Sequence, residues 1–181
     1  KLQDLQKAGK IKGIGVSNYA YEDFLELKEA DGVTELPLVN QIEINPFLYR
    51  KNTIKKFAEE GVVLQSYRSL RDGKAFGDPV LTKIASAKGK TPAQILGRWC
   101  HQNGFVYMPK SVKKERMIEN AQIFDFELSK EEMEELNELT TPAALETFQN
   151  LYRKCVQTIT KLCPHILRST KVNVVSLNVT S

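Results

Sequence analysis

The chain has 181 residues, 41% hydrophobic and 27% charged, which is enough for one domain with a buried core. A formal charge of +4 is too small and too evenly spread for a nucleic-acid binder, and no run approaches the roughly 20 apolar residues of a membrane span. Three cysteines, Cys100, Cys155 and Cys163, are too few for a disulfide framework; with no signal-peptide pattern at Lys1, free thiols and a cytoplasmic location are the expectation.

Leu2 and Leu5 at helical spacing predict a helix over Lys1–Ala8, stopped by Gly9. Ile11, Ile14 and Val16 predict a strand ending at Ser17-Asn18. A helix over Tyr21–Ala30 follows, with Phe24, Leu25 and Leu27 as its apolar face. Pro37 opens a second strand, Leu38–Ile44. A helix over Thr53–Glu60, carrying Ile54, Phe57 and Ala58, precedes Gly61 and a third strand, Val62–Tyr67. After a loop bearing Gly and Asp, Pro79–Ala87 reads as a short helix. Thr91, Pro92 and Gln94 then supply the cap, the first helical position and the returning side chain of a helix start, and Ile95, Leu96 and Trp99 form its buried stripe. Asn103-Gly104 breaks the chain before a fourth strand, Phe105–Met108. Ser129 with Glu132 repeats the capping box ahead of Met133, Leu136 and Leu139.

Strands alternating with helices imply βαβ units and a parallel sheet. Such crossovers are right-handed almost without exception, so the C-terminal ends of the strands share one edge. Ser17, Asn18, Gln41 with Glu43, Tyr67, Lys110 and Ser111 therefore converge. Each also has a purely structural reading: Ser17-Asn18 as the cap of the next helix, Gln41 as the partner of a neighbouring backbone group, Tyr67 as a rim aromatic. The run Met108–Asn120 joins a strand end, a hydroxyl, guanidinium charge and a helix start, which is how a protein grips a phosphate ester; taken alone it is also a solvated basic helix start. Together, an Asn/Gln pair suited to an amide, an aromatic face suited to a flat ring and a basic clamp describe a nucleotide site.

Several motifs carry a family resemblance. Gly9-Lys10-Ile11-Lys12-Gly13-Ile14-Gly15-Val16-Ser17-Asn18, Val39-Asn40-Gln41-Ile42-Glu43, Gly89-Lys90-Thr91-Pro92-Ala93-Gln94 and Pro109-Lys110-Ser111-Val112, followed by Arg116, Glu119-Asn120 and Phe124–Ser129, resemble in order the C-terminal half of the aldo-keto reductase family. The resemblance runs over residues 1–139 and implies an α/β fold that is part of a (β/α)8 TIM barrel, strands five to eight with their helices. It also implies NADPH as cofactor, bound in extended form without a Rossmann fingerprint; the sequence contains no GxGxxG.

By resemblance, Ser17, Asn18 and Gln41 hydrogen-bond the nicotinamide carboxamide, and Tyr67 stacks on the nicotinamide ring. Leu70, with Arg68 and Asp72 nearby, falls in the loop that lines the pyrophosphate. Lys110, Ser111, Val112 and Arg116 match the clamp on the adenosine 2′-phosphate, and Glu119 and Asn120 match the pair that holds the adenine. Arg68-Ser69 stands where the family commonly has Ser-Pro, which leads us to expect a direct pyrophosphate contact from Arg68. Lys113 replaces a position that is often a small hydroxyl residue and should reinforce preference for the phosphorylated cofactor.

The family's catalytic Asp, Tyr, Lys and His have no match in this chain, and neither His101 nor His165 replaces them. Reduction needs an acid to protonate the developing alkoxide, so these residues are expected to form the cofactor-binding half of a longer reductase, inactive alone. Lys rather than Met at position 1 fits that expectation. The intact parent would reduce an aldehyde or ketone, a small-molecule carbonyl, to an alcohol. The alternative classes are a non-catalytic NADP(H)-binding regulatory protein and a scaffold of the lens type that binds no NADPH. Open sheet edges suggest self-association. Residues 140–181 match nothing in the family and are expected to form an irregular, poorly ordered tail. Cys155, Cys163 and His165 lack a fourth partner at zinc spacing, and Asn178-Val179-Thr180 reads as a chance glycosylation pattern.

Overall fold

Several helix starts in this protein sit where a side chain closes an orphan backbone donor, at Asp78, Thr91 and Ser129 among others. The computed structural model describes residues 1–149. The described residues divide into two compact units, one made of Lys1–Ile42 and Lys51–Leu64 with residues 145–149, the other of Glu43–Arg50 and Gln65–Ala144.

In the first unit α1 (Leu2–Lys7), β1 (Gly15–Ser17), α2 (Tyr21–Lys28) and α3 (Lys51–Glu59) surround β2 (Val39–Glu43) up to Ile42. β1 pairs with β2 in parallel, Gly15 opposite Val39 and Ser17 opposite Gln41. The backbone N–H of Val63, first residue of β3 (Val63–Tyr67), donates to the Leu38 carbonyl at 2.9 Å. Phe24 and Phe57 are fully buried edge to face, centroids 5.7 Å apart. Tyr21 joins them, and its hydroxyl donates to Glu60 at 3.0 Å while Lys28 donates to the other oxygen at 2.7 Å. Those two donors, Lys28 foremost, hold the Glu60 carboxyl below the usual carboxylate range. The Gln3 amide donates to the Gly32 carbonyl, and its oxygen accepts from the N–H groups of Thr34 and Glu35, which pins the loop between α2 and β2.

The expected boundaries differ in this unit. The strand foreseen from Ile11 to Ser17-Asn18 is shortened to Gly15–Ser17, and Leu25, placed on the apolar face of α2, is exposed, which leaves Phe24 as the one fully buried residue of that helix. In α3, Phe57 is buried and Ala58 faces solvent.

In the second unit the end of β3 pairs in parallel with β4 (Val106–Tyr107), Gln65 opposite Val106 and Ser66 opposite Tyr107. Around them lie α4 (Pro79–Lys88), α5 (Pro92–Gln102), α6 (Lys114–Ala121) and α7 (Lys130–Asn137). The two foreseen capping boxes form: Thr91 accepts from the Gln94 N–H and Gln94 returns a bond to Thr91, and Ser129 with Glu132 does the same. Ile95, Leu96 and Trp99 of α5 are buried as their spacing predicts, with Leu136 of α7. Two 3-10 turns, Pro46–Leu48 and Arg71–Gly73, were not foreseen. Thr140 bridges the backbone of this unit, accepting from the Tyr49 N–H at 2.6 Å and donating to the Pro46 carbonyl at 2.7 Å. Residues 142–149 are helical.

Helix α5 approaches β4 closely at Gly97. A Cβ at this position would sit 3.0 Å from the Tyr107 ring and 3.1 Å from Ile123 Cγ2, so only glycine fits without a shift. Helix α4 starts at Asp78, whose carboxylate accepts from the N–H groups of Val80 and Leu81 at 3.0 and 3.1 Å. Replacing Asp78 by Ala removes that cap and is expected to cost about 1 kcal/mol. For a domain of this size, calorimetry should then record a melting temperature lower by about 2–4 °C, with Asp78→Asn close to the parent.

Cys100 is fully buried in the second unit; its thiol donates to the Ser66 hydroxyl at 3.7 Å, and burial pushes its pKa up to about 12. It is a structural thiol, inert in the folded state. No described helix is long and apolar enough to cross a membrane. Cys155, Cys163, His165, the Asn178 pattern and most of the expected tail lie outside the described residues.

Candidate functional site

The polar residues foreseen at the strand ends fall into two groups, one in each unit. In the first unit the tips of β1 and β2 bring Ser17, Asn18 and Gln41 together. The Ser17 hydroxyl and the Asn18 N–H both donate to the Gln41 carbonyl, each at 2.9 Å, and the Asn18 amide donates to the Ser17 hydroxyl at 3.3 Å. Asn18 adopts φ 59°, a left-handed conformation that asparagine tolerates better than most residues. The following turn is held by Asn40, fully buried, whose amide donates to the Tyr19 carbonyl at 3.0 Å and accepts from the Tyr19 N–H at 3.4 Å. Ser17 and Asn18 do not cap α2: its N-cap is Ala20, whose N–H donates to Asp23. Asn40 was passed over in the sequence because an amide beside Gln41 in a strand gives no sign of its partner 21 residues away.

In the second unit a cavity of about 610 Å³ opens at the start of α6. Leu70, Lys110, Ser111, Val112, Arg116, Glu119 and Asn120, all foreseen, line it, together with Asp72, Gly73, Phe76, Ala93 and Lys113. Tyr67 ends β3 half-buried and is not among the lining residues. The hydroxyl of Ser111 accepts from the Lys113 N–H at 3.2 Å and donates to the Lys113 carbonyl at 3.3 Å, folding the segment into the helix start. Lys113 is the N-cap residue of α6 and contributes no side-chain cap, so the first N–H groups of the helix face outward without a side-chain acceptor.

Charge in this cavity is unbalanced. Among the described residues Lys110, Lys113 and Arg116 make no ion pair or side-chain hydrogen bond, although most other ion pairs here use a lysine or arginine within reach of a carboxylate. Asn120 is only 5% exposed, yet among the described residues its side-chain amide has no hydrogen-bond partner. Its amide opens onto the cavity that it lines. An uncapped helix start carries about half a positive charge, to which three cationic side chains are added. Positive charge and an amide thus share one cavity.

Arg68 departs from expectation. Its guanidinium is held by two carboxylates, Nη1 3.3 Å from Glu43 Oε2 and Nη2 3.0 Å from Asp72 Oδ2, rather than standing free toward a ligand. Glu43 lies 25 residues away, beyond the reach of any local pattern. Phe76, Gly73 and Ala93 were also missed, since nothing in the loop following β3 distinguishes a lining aromatic from a packed one.

Among the described residues, no cluster of His, Cys, Asp or Glu could hold a metal ion. Parallel strands joined through helices define an α/β protein with a parallel sheet, with amides and hydroxyls past the strand ends and a cationic cavity at a helix start. The chain belongs to the aldo/keto reductase family, whose model matches residues 1–141.

Glyoxal reductase of Bacillus subtilis is 41% identical over 138 residues, which are 76% of this chain and 49% of that protein. Aldose reductase B of Dictyostelium discoideum is 36% identical over 144 residues, 78% of this chain and 45% of that protein. Among solved structures, a variant of Gox0644 in complex with NADPH superposes with a TM-score of 0.75 at 34% identity, covering 79% of this chain and 52% of that one. MGS-M4, an aldo-keto reductase from a deep-sea metagenome library, gives a TM-score of 0.74 at 30% identity over 77% of this chain and 53% of its own. The chain thus spans about half the length of the curated relatives it matches.

Proposed function

We propose that residues 1–139 are the cofactor-binding part of an NADP(H)-dependent aldo-keto reductase, equivalent to strands five to eight of its (β/α)8 barrel, and that the whole enzyme reduces a small aldehyde or ketone to an alcohol in the cytoplasm. The observation that supports this reading is the cavity at the start of α6, lined by three cations that make no ion pair among the described residues and by the side chain of Asn120. Lys110, Ser111, Val112 and Arg116 hold the adenosine 2′-phosphate, where fixed charge and outward N–H groups meet a dianion. Glu119 and Asn120 hold the adenine, the Asn120 amide having no other hydrogen-bond partner among the described residues. Leu70 lies along the pyrophosphate.

In the first unit, Ser17, Asn18 and Gln41 supply the donors and acceptors that read a carboxamide, and Tyr67 at the end of β3 supplies a stacking face for the nicotinamide. Bound there, the nicotinamide supplies a hydride. The role of these residues is to fix which face of the ring is offered and to exclude water from it. The proton for the alkoxide comes from a group that the residues assigned here do not include. Residues 140–181 take no part in this assignment.

The test is a titration of the chain with NADPH, followed by nicotinamide fluorescence. Saturable binding, displaced by 2′,5′-adenosine bisphosphate and weakened by added salt, is expected. Absence of saturable binding would refute the reading.

A further inference from the structure

We infer that Arg68 is a positioning residue of the nucleotide cavity, acting through Asp72: it neutralises a carboxylate that would otherwise repel the incoming diphosphate. The inference rests on the nucleotide reading above. The cavity wall carries Lys110, Lys113 and Arg116, but also the carboxylates of Asp72 and Glu119. A carboxylate in the wall of an anion site works against it, and Asp72 is the one that the structure pairs. Arg68 does not line the cavity. It stands behind Asp72 and grips it at 3.0 Å, while Glu43, only 16% exposed, holds the other arm of the guanidinium at 3.3 Å.

Stability alone does not account for this arrangement. Arg68 and Asp72 are 47% and 58% exposed, and ion pairs of that kind contribute little to folding. The loop is also strained: Arg68, Arg71 and Asp72 have φ of 49°, 48° and 57°, a left-handed conformation unfavourable to residues with a Cβ. Such conformations persist where the surroundings over-determine them. Here the Arg71 N–H donates to the Arg68 carbonyl and the Gly73 N–H to the Leu70 carbonyl, both at 2.9 Å, and the Arg71 guanidinium lies 5.1 Å from the centre of the Phe47 ring. The ion pair closes this strained turn from its first residue to its fifth, fixing where the Asp72 charge sits relative to the cavity.

The effect should fall on the diphosphate that NADPH and NADH share, and so on both cofactors equally. Arg68→Gln keeps a polar side chain and removes its charge; an uncompensated carboxylate beside an anion should then weaken both cofactors about three- to tenfold. Asp72→Asn removes the repulsion, and asparagine tolerates the left-handed backbone. The double variant Arg68→Gln/Asp72→Asn is therefore expected to bind both cofactors within about twofold of the parent, and Arg68→Lys to keep most of the affinity.

Fluorescence titration of the 181-residue chain reads all four, with circular dichroism melts confirming that each is folded. A double variant as weak as Arg68→Gln would overturn the inference, because Arg68 would then act directly or only through the loop. Unchanged binding in Arg68→Gln would overturn it too. Failure of the nucleotide reading itself is told apart because the parent chain would then bind neither cofactor.

Discussion

Trp99→Ala is expected to remove about 3–5 kcal/mol of folding free energy, the largest loss available to a single substitution in the second unit. Trp99 is the sole tryptophan and is 0% exposed. Its ring packs edge to face with Tyr49, centroids 5.2 Å apart, and at a tilt with Phe105 at 5.8 Å. Its Nε1 donates to Asn137 Oδ1 at 2.8 Å, joining α5 to α7. Alanine would leave a cavity and would strip the half-buried Asn137 amide of its partner. Domains are stable by only about 5–15 kcal/mol, so the variant should be close to unfolding at room temperature. Urea denaturation followed by far-UV circular dichroism checks this. Phe124→Ala is the control: that ring is 69% exposed, and its loss should change stability by no more than about 0.5 kcal/mol. Equal midpoints for Trp99→Ala and Phe124→Ala would contradict the packing described here.

Arg116→Ala is expected to weaken NADPH about 10- to 100-fold while leaving NADH within about twofold. A hydrogen bond to a charged group is worth about 1.5–3 kcal/mol, and only NADPH carries the 2′-phosphate that Arg116 would meet. Exposure of Arg116 to solvent places the effect toward the lower end, since screening by water and salt acts on it. Arg116→Lys should recover part of the loss, because an ammonium supplies the charge without the planar fork that engages two phosphate oxygens at once. Dissociation constants for both cofactors, measured on each variant, decide the matter. Equal weakening of NADPH and NADH would remove the 2′-phosphate from the assignment.

What could be read from the sequence depended on how far a residue's partner lies along the chain. The boxes at Thr91/Gln94 and Ser129/Glu132 are closed within three residues, and both appear as foreseen. The stripe Ile95, Leu96 and Trp99 is a matter of helical period, and it is buried. The seven foreseen residues from Leu70 to Asn120 line one cavity because six of them sit within eleven positions at a single strand-to-helix junction. Long-range pairs were not legible. Arg68 was expected to reach for phosphate, and the carboxylate that holds it comes from β2. Asn40 clamps Tyr19 across 21 residues, and Leu25 is exposed although the period placed it inward. Backbone strain also escaped detection, since left-handed conformations are anticipated at glycine or asparagine, whereas Arg68, Arg71 and Asp72 adopt them through tertiary restraint.

Gly97 illustrates how a position remote from any ligand constrains binding. The Tyr107 ring lies close to bare backbone there, and Tyr107 is followed three residues later by Lys110. The missing methyl group therefore acts as a spacer gauge: it sets how far the fourth strand stands from its supporting helix, and through the strand where Lys110 is delivered. A side chain gained at position 97 would displace the proposed phosphate contact together with the packing beneath it.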